Sequence, residues 1–234
     1  MNDSKGSVAP AESILDVRLK WMQMLDAIVR RPLVASDAPP VLVLLHGLGA
    51  DEQDLMGLAP HLDPKLLIVT FRAPLEYGPT GYAWFQIEWT ESGIQVDSEQ
   101  VMASCNYLAE AIRLLPESLG VPVGPILLGG FSQGAIMTLG TCLWHPELVK
   151  AAVLMSGRLV PEMLPAEPAK ELAAIPFLIQ HGVSDQVLPA SGSRAIAEYL
   201  SGLGCEVDHR EYPMGHEISL ESLTDVRNWL QNHL

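Results

Sequence analysis

Five short apolar runs constrain this chain most: "VLVLL" (41–45), "LLIV" (66–69), "PILL" (125–128), "AAVLM" (151–155) and "PFLIQ" (176–180). None alternates apolar with polar residues, as a strand with one wet face does. Continuous runs of this length fit the central strands of a parallel sheet covered on both faces. Such a sheet needs helices between its strands, and helical spacing recurs there. Over 98–117, Val101, Cys105, Leu108, Ile112 and Leu115 fall every three or four residues. That pattern predicts a helix with Ser98 as N-cap and a stop near Gly120. Further helices are expected at 51–60, 133–145, 191–203 and 218–232. Strand then helix, repeated, predicts an α/β fold with right-handed crossovers, a mostly parallel central sheet and helices on both faces.

Ahead of the first run, "LDVRLKW" (15–21) alternates at period two and reads as an antiparallel edge strand, with a second near 26–31. A single domain over 1–234 is expected: residues 1–37 as polar tail and edge strands, 38–234 as the functional core. The net charge of −14 argues against nucleic acid and against docking on anionic lipid. No uncharged apolar run approaches the roughly 18 residues of a membrane span. Cys105, Cys142 and Cys205 are odd in number and lack a C-x-x-C spacing, which suits reduced thiols and a cytoplasmic setting. Apolar Trp21 and Met22 would serve either a homodimer interface or the core.

"GGFSQGA" (129–135) follows the third run and contains G-x-S-x-G. In a nucleophile elbow the serine takes a strained turn between strand and helix, and the glycines let neighbouring backbone pass closely. The helix after Ser132 would aim its N–H groups and positive dipole end at the chemistry. A serine hydroxyl needs a base to take its proton. The order known for such elbows is serine, acid, histidine. Asp185, in "HGVSDQVLP", and His216, in "PMGHEI", both leave strand-like segments at the edge where Ser132 lies. Asp208, His209, His181 and His233 are weaker alternatives. Asp208 and His209 fall mid-strand, His181 is expected to orient a turn, and His233 sits at the terminus. Two donors are needed for an oxyanion. The Gln133 N–H, directly after the serine, is one; the Leu48 N–H, in the turn "HGLGADE" (46–52), is the other. No phosphate loop, dinucleotide fingerprint or metal-ligand cluster is present, so no cofactor and no metal are expected.

With "LLHGLGADEQDL", "GGFSQGA", "HGVSDQVLP" and "GHEI" in that order, the chain resembles the phospholipase/carboxylesterase family of α/β hydrolases over about residues 38–233. That group includes small bacterial carboxylesterases and acyl-protein thioesterases. The resemblance implies an α/β-hydrolase fold without a separate cap domain and an acyl groove shaped by loops. It carries Ser132, Asp185 and His216 over as triad, with Leu48 and Gln133 as oxyanion donors. "GYAWFQIEW" (81–89) looks like the family's aromatic stretch, which puts Trp84 against substrate or packed under a loop. Leu159 and Met163, in "SGRLVPEMLP", would wall an acyl channel or seal the core. Segment 74–97 and the N-terminal stretch differ from the acyl-protein thioesterases, which leans the reading towards a bacterial-type carboxylesterase.

The expected function is serine-dependent hydrolysis of carboxylic esters, small-molecule or lipid, with short to medium acyl chains and no membrane insertion. A lysophospholipase or thioesterase is the alternative on the same machinery. A catalytically silent binding module is the alternative without it. Because a histidine base works unprotonated, turnover should rise with pH across the imidazole range.

Overall fold

The computed structural model describes residues 17–19, 25–90 and 93–234. The expected polar tail and the proposed role of Trp21 and Met22 lie outside the described residues. In chain order the strands are β1 (Val17–Leu19), β2 (Ala27–Arg30), β3 (Val41–Leu45), β4 (Leu67–Phe71), β5 (Leu75–Tyr77), β6 (Gly81–Ala83), β7 (Ile87–Thr90), β8 (Gly93–Val96), β9 (Ile126–Phe131), β10 (Ala151–Met155), β11 (Phe177–Gly182) and β12 (Val207–Tyr212). The helices are α1 (Ser98–Arg113), α2 (Leu115–Leu119), α3 (Gln133–Trp144), α4 (Ser191–Gly202) and α5 (Leu220–Gln231).

Eight strands form one sheet in the order β1-β2-β4-β3-β9-β10-β11-β12. From β4 to β12 neighbours run parallel; β1 and β2 are antiparallel at the edge. The apolar runs are continuous because each strand feeds two cores. Val41, Val43 and Leu45 face the core shared with α1, α3 and α4, whereas Leu42 and Leu44 face the core shared with α5. Every residue of β3, β4, β10 and β11 is buried. Among the described residues, no helix is long and apolar enough to cross a membrane.

Three local expectations are corrected. The helix at 51–60 is a 3-10 helix, Leu55–His61; Pro60 has no N–H to donate and Gly57 weakens the run. The cap of α1 is Asp97, not Ser98: its carboxylate accepts from the Glu99 and Gln100 amides. The helix over 98–117 breaks at Leu114, because Pro116 cannot continue the bonding ladder, and restarts as α2. The five residues predicted for its apolar face are all buried in the first core, and Gly120, at φ 65°, closes it.

Between β4 and α1, where the sequence suggests only a loop, stand two antiparallel hairpins, β5–β6 and β7–β8. Strands this short carry too little periodicity to be read in advance. They sit beside the turn that follows β3, and that position makes them part of the site.

Candidate active site

Ser132 lies between β9 and α3 with φ 54° and ψ −114°. A non-glycine residue seldom adopts this backbone, at a cost of about 1–3 kcal/mol. The neighbours impose it. The Ser132 N–H donates to the Met155 carbonyl at 2.8 Å, and its carbonyl accepts from Ala135 and Ile136. A Cβ on Gly130 would stand 2.1 Å from the Gly134 carbonyl oxygen, and one on Gly134 would stand 2.0 Å from that of Leu45. Backbone therefore passes where a methyl group would sit.

The loops after β11 and β12 bring two partners to the serine. His216 Nε2 is 2.9 Å from Ser132 Oγ, and Nδ1 is 2.6 Å from Asp185 Oδ2. Asp185 Oδ1 accepts from the Val187 and Leu188 amides at 2.8 and 2.9 Å. Burial pushes the Asp185 carboxyl up, but the hydrogen bonds from His216, Leu188 and Val187 outweigh it and hold it below the ordinary carboxylate range. The ionised carboxylate keeps the proton on His216 Nδ1, so Nε2 presents a lone pair to the hydroxyl. Gly182 lets the two loops touch: a Cβ there would lie 2.2 Å from the Gly215 carbonyl oxygen. His181, fully buried, donates to the Leu188 carbonyl at 2.7 Å and stands 3.2 Å from Asp185 Oδ2, bracing the acid's loop. The weaker alternatives are occupied elsewhere. Arg210 holds Asp208, His209 meets Ser193, and His233 stacks on Trp229.

The turn after β3 packs on the elbow. A Cβ on Gly47 would stand 3.3 Å from the Phe131 ring and 3.4 Å from Ser132 Cβ. Leu48 and Gln133 both line the cavity above Ser132. As first residue of α3, Gln133 has an N–H with no intrahelical acceptor. The turn is clamped from outside. Gly49 donates to the Tyr82 carbonyl and Tyr82 to that of Ala50. Arg72 grips buried Glu52 with two hydrogen bonds, at 2.6 and 2.5 Å. His46 is fixed as the Nδ1–H tautomer: Nε2 accepts from Ala73, so Nδ1 donates to the Gly47 carbonyl. Burial lowers its pKa and keeps it neutral.

Trp84, Leu159 and Met163 are not placed against the cavity. Trp84 is 1% exposed. Its indole N–H donates to the His46 carbonyl at 2.9 Å, and its backbone N–H meets Gln133 Oε1 at 2.8 Å. Gln133 Nε2 in turn donates to the Phe85 carbonyl. Met163 is buried under Gly140, and Leu159 packs on the first core. Both seal the core, as the loop's apolar composition also allowed.

The cavity measures about 160 Å³. Its apolar walls come from Leu48, Ile87, Val96, Ile136, Val187 and Leu188, and its polar groups are Ser132, Gln133, His216 and Arg158. Ile87 and Val96 belong to a hairpin that sequence periodicity did not show. Arg158 was visible as the one charge in "SGRLV", a signal left unused.

Comparison with known proteins agrees with this architecture. The Phospholipase/Carboxylesterase family profile matches residues 33–234. A probable carboxylesterase of Oryza sativa subsp. japonica is 33% identical over 68% of the chain; the match spans 60% of that protein's length. Acyl-protein thioesterase 1 of Saccharomyces cerevisiae is 29% identical over 84% of the chain and 94% of its own length. The crystal structure of esterase PE8 superposes with a TM-score of 0.77 at 30% identity, covering 90% of this chain and all of that one. A carboxylesterase from Mesorhizobium loti superposes with a TM-score of 0.77 at 25% identity over 90% of this chain and 97% of its own. With the sheet order, the elbow and these matches in agreement, the chain has the α/β-hydrolase fold and belongs to the phospholipase/carboxylesterase family.

Proposed function

We propose that this chain hydrolyses carboxylic esters of short acyl groups through a serine-bound acyl-enzyme. The observation that carries the proposal is the continuous hydrogen-bond chain Ser132–His216–Asp185. His216 takes the hydroxyl proton as Ser132 Oγ attacks the ester carbonyl, and Asp185 stabilises the imidazolium that forms. The Leu48 and Gln133 amides receive the oxyanion. The alcohol leaves with the proton from His216. Water then attacks the acyl-enzyme by the same route and releases the acid.

Cavity size sets the acyl length. An apolar cavity of about 150 Å³ takes a molecule the size of benzene, so 160 Å³ suits a short acyl group. The relatives named acyl-protein thioesterase support a thioester reading on the same machinery. The three free thiols support a reducing, cytoplasmic setting.

Initial rates on p-nitrophenyl esters from acetate to palmitate, wild type beside Ser132→Ala, test the proposal. A maximum at short chains that Ser132→Ala abolishes is expected. Serine-independent turnover, or no covalent capture of Ser132 by a fluorophosphonate, would overturn it and favour a binding module.

A further inference from the structure

His181 lies near the end of β11, and its side chain is as fully enclosed as that of Asp185 four residues on. Its Nε2 stands 2.7 Å from the Leu188 carbonyl oxygen and 3.2 Å from Asp185 Oδ2. A carbonyl only accepts, so Nε2 carries the proton. The same Leu188 donates its backbone N–H to Asp185 Oδ1 at 2.9 Å. The three residues therefore close a ring of contacts. The imidazole grips the carbonyl of Leu188, the Leu188 amide grips the acid, and the imidazole N–H stands beside the acid's other oxygen.

This makes the two carboxylate oxygens unequal. Oδ1 is taken by the Val187 and Leu188 amides, and Oδ2, beside His181, is the one that His216 Nδ1 meets at 2.6 Å. The terminal torsion of an aspartate is broad and roughly two-fold, so an unheld carboxylate offers either oxygen. Donors on both flanks select one orientation.

His181 occupies this place at a cost to stability. Among the described residues its Nδ1 is buried without a hydrogen-bond partner, and an orphaned polar atom of this kind calls for an explanation. Leucine or phenylalanine would fill the same core position with no orphan. What Nε2 does accounts for the imidazole; packing does not.

We propose that His181 is a positioning residue for the acid: its Nε2–H fixes the Leu188 carbonyl and the orientation of Asp185, so that Oδ2 stays aimed at His216 during turnover. This rests on the reading of Ser132, His216 and Asp185 as a triad. His181 does not line the cavity. It passes no proton and acts through Asp185.

The test compares His181→Asn with His181→Gln. The glutamine amide nitrogen reaches the place of Nε2, whereas the asparagine nitrogen stops at that of Nδ1, so only glutamine keeps a donor for the Leu188 carbonyl. On p-nitrophenyl acetate, His181→Asn should lower kcat about 10- to 100-fold, the loss typical when an outer partner that orients an active-site side chain is removed. KM should change little. His181→Gln should keep most of the wild-type kcat. Equal loss in both variants, loss in neither, or a change confined to KM overturns the proposal.

Proton NMR reads the same hold without turnover. A charge-assisted hydrogen bond of 2.6 Å should carry the His216 Nδ1 proton far downfield. That signal should be present in wild type and His181→Gln, and lost or moved upfield in His181→Asn. An unmoved signal in His181→Asn, or none in wild type, overturns the proposal. If His181→Asn fails to fold, His181→Leu carries both measurements. A signal that depends on His181 in a protein whose Ser132 resists a fluorophosphonate would overturn the hydrolase reading and leave the hold on Asp185 standing.

Discussion

Trp84 donates its indole N–H to the carbonyl oxygen of His46 at 2.9 Å, tying the hairpin region to the turn that carries Leu48. The indole thus acts on the backbone beside Leu48, a proposed oxyanion donor, rather than on the cavity. Trp84→Phe keeps most of the buried ring and removes the donor. A buried carbonyl left unsatisfied costs about 1–3 kcal/mol, and each 1.4 kcal/mol of transition-state stabilisation is about tenfold in rate. Steady-state kinetics should show kcat lowered about tenfold or more, with KM and chain-length preference little changed. A shift in chain-length preference instead would put the indole back against the substrate.

Ser132 holds its hydroxyl in place at the expense of backbone strain, with φ 54°. Ser132→Gly should relieve that strain, worth about 1–3 kcal/mol, less about 0.5–1 kcal/mol for the added freedom of the unfolded glycine. Thermal denaturation should show Ser132→Gly melting about 2–4 °C higher than Ser132→Ala. Both should be inactive. Equal melting temperatures would mean that the elbow is not strained.

The opposite outcome is expected at Gly134, where a methyl group would stand 2.0 Å from the Leu45 carbonyl oxygen. Neither atom is the end of a flexible side chain, so α3 or β3 must move. Overpacking of this kind costs about 1–3 kcal/mol and occasionally more. Gly134→Ala should melt about 2–12 °C lower. It should also lose activity, because α3 carries Gln133 at its first turn. A wild-type melting temperature would refute the contact.

The parts legible in the sequence are those where one local pattern has one physical use. Val43 and Leu44 both had to be apolar because they face different cores, and that shows as a continuous run. Ser132 was legible because glycines flank it for a steric reason local to the elbow. Other features depend on distant partners. The hairpins β5–β6 and β7–β8 are positioned by contacts such as Gln133 to Trp84 and Phe85, which no spacing within 74–97 records. An indole in a loop reads alike whether it faces substrate or a carbonyl. Asp97 and Ser98 are adjacent, both able to cap, and only the backbone geometry at Asp97 decided between them.

Asp185 links the site to acid stability. Its folded pKa is lowered, with hydrogen bonds from His216, Leu188 and Val187 overcoming burial. A depressed carboxyl contributes stability that is fully present above its unfolded pKa, about 3.9. That contribution is lost as pH falls through the folded value. Denaturant titrations at a series of pH values should therefore show wild type losing its advantage over Asp185→Asn below about pH 4. At neutral pH the same variant should lose several orders of magnitude in kcat, about 10⁴-fold, through the wrong imidazole tautomer. A stability difference independent of pH would show that the carboxylate is not preferentially bound in its charged form.

The three cysteines report on the core from inside. Cys105, Cys142 and Cys205 are free and buried. Burial pushes the Cys105 thiol up to about 12 and the Cys142 thiol higher still, and raises that of Cys205. Since the thiolate is the reactive form, both access and ionisation oppose modification in the folded protein. Iodoacetamide at pH 8 should leave Cys105 and Cys142 unlabelled by mass spectrometry until denaturant unfolds the chain, whereupon all three label. Cys205 is the most exposed of the three, at 8%, and its hydrogen bond to the Leu172 carbonyl spans 3.5 Å. It should be the first to react when α4 loosens. Rapid labelling of Cys105 in the native protein would mean that the contact between α1 and α3 opens without global unfolding, and that the elbow's support is softer than its packing implies.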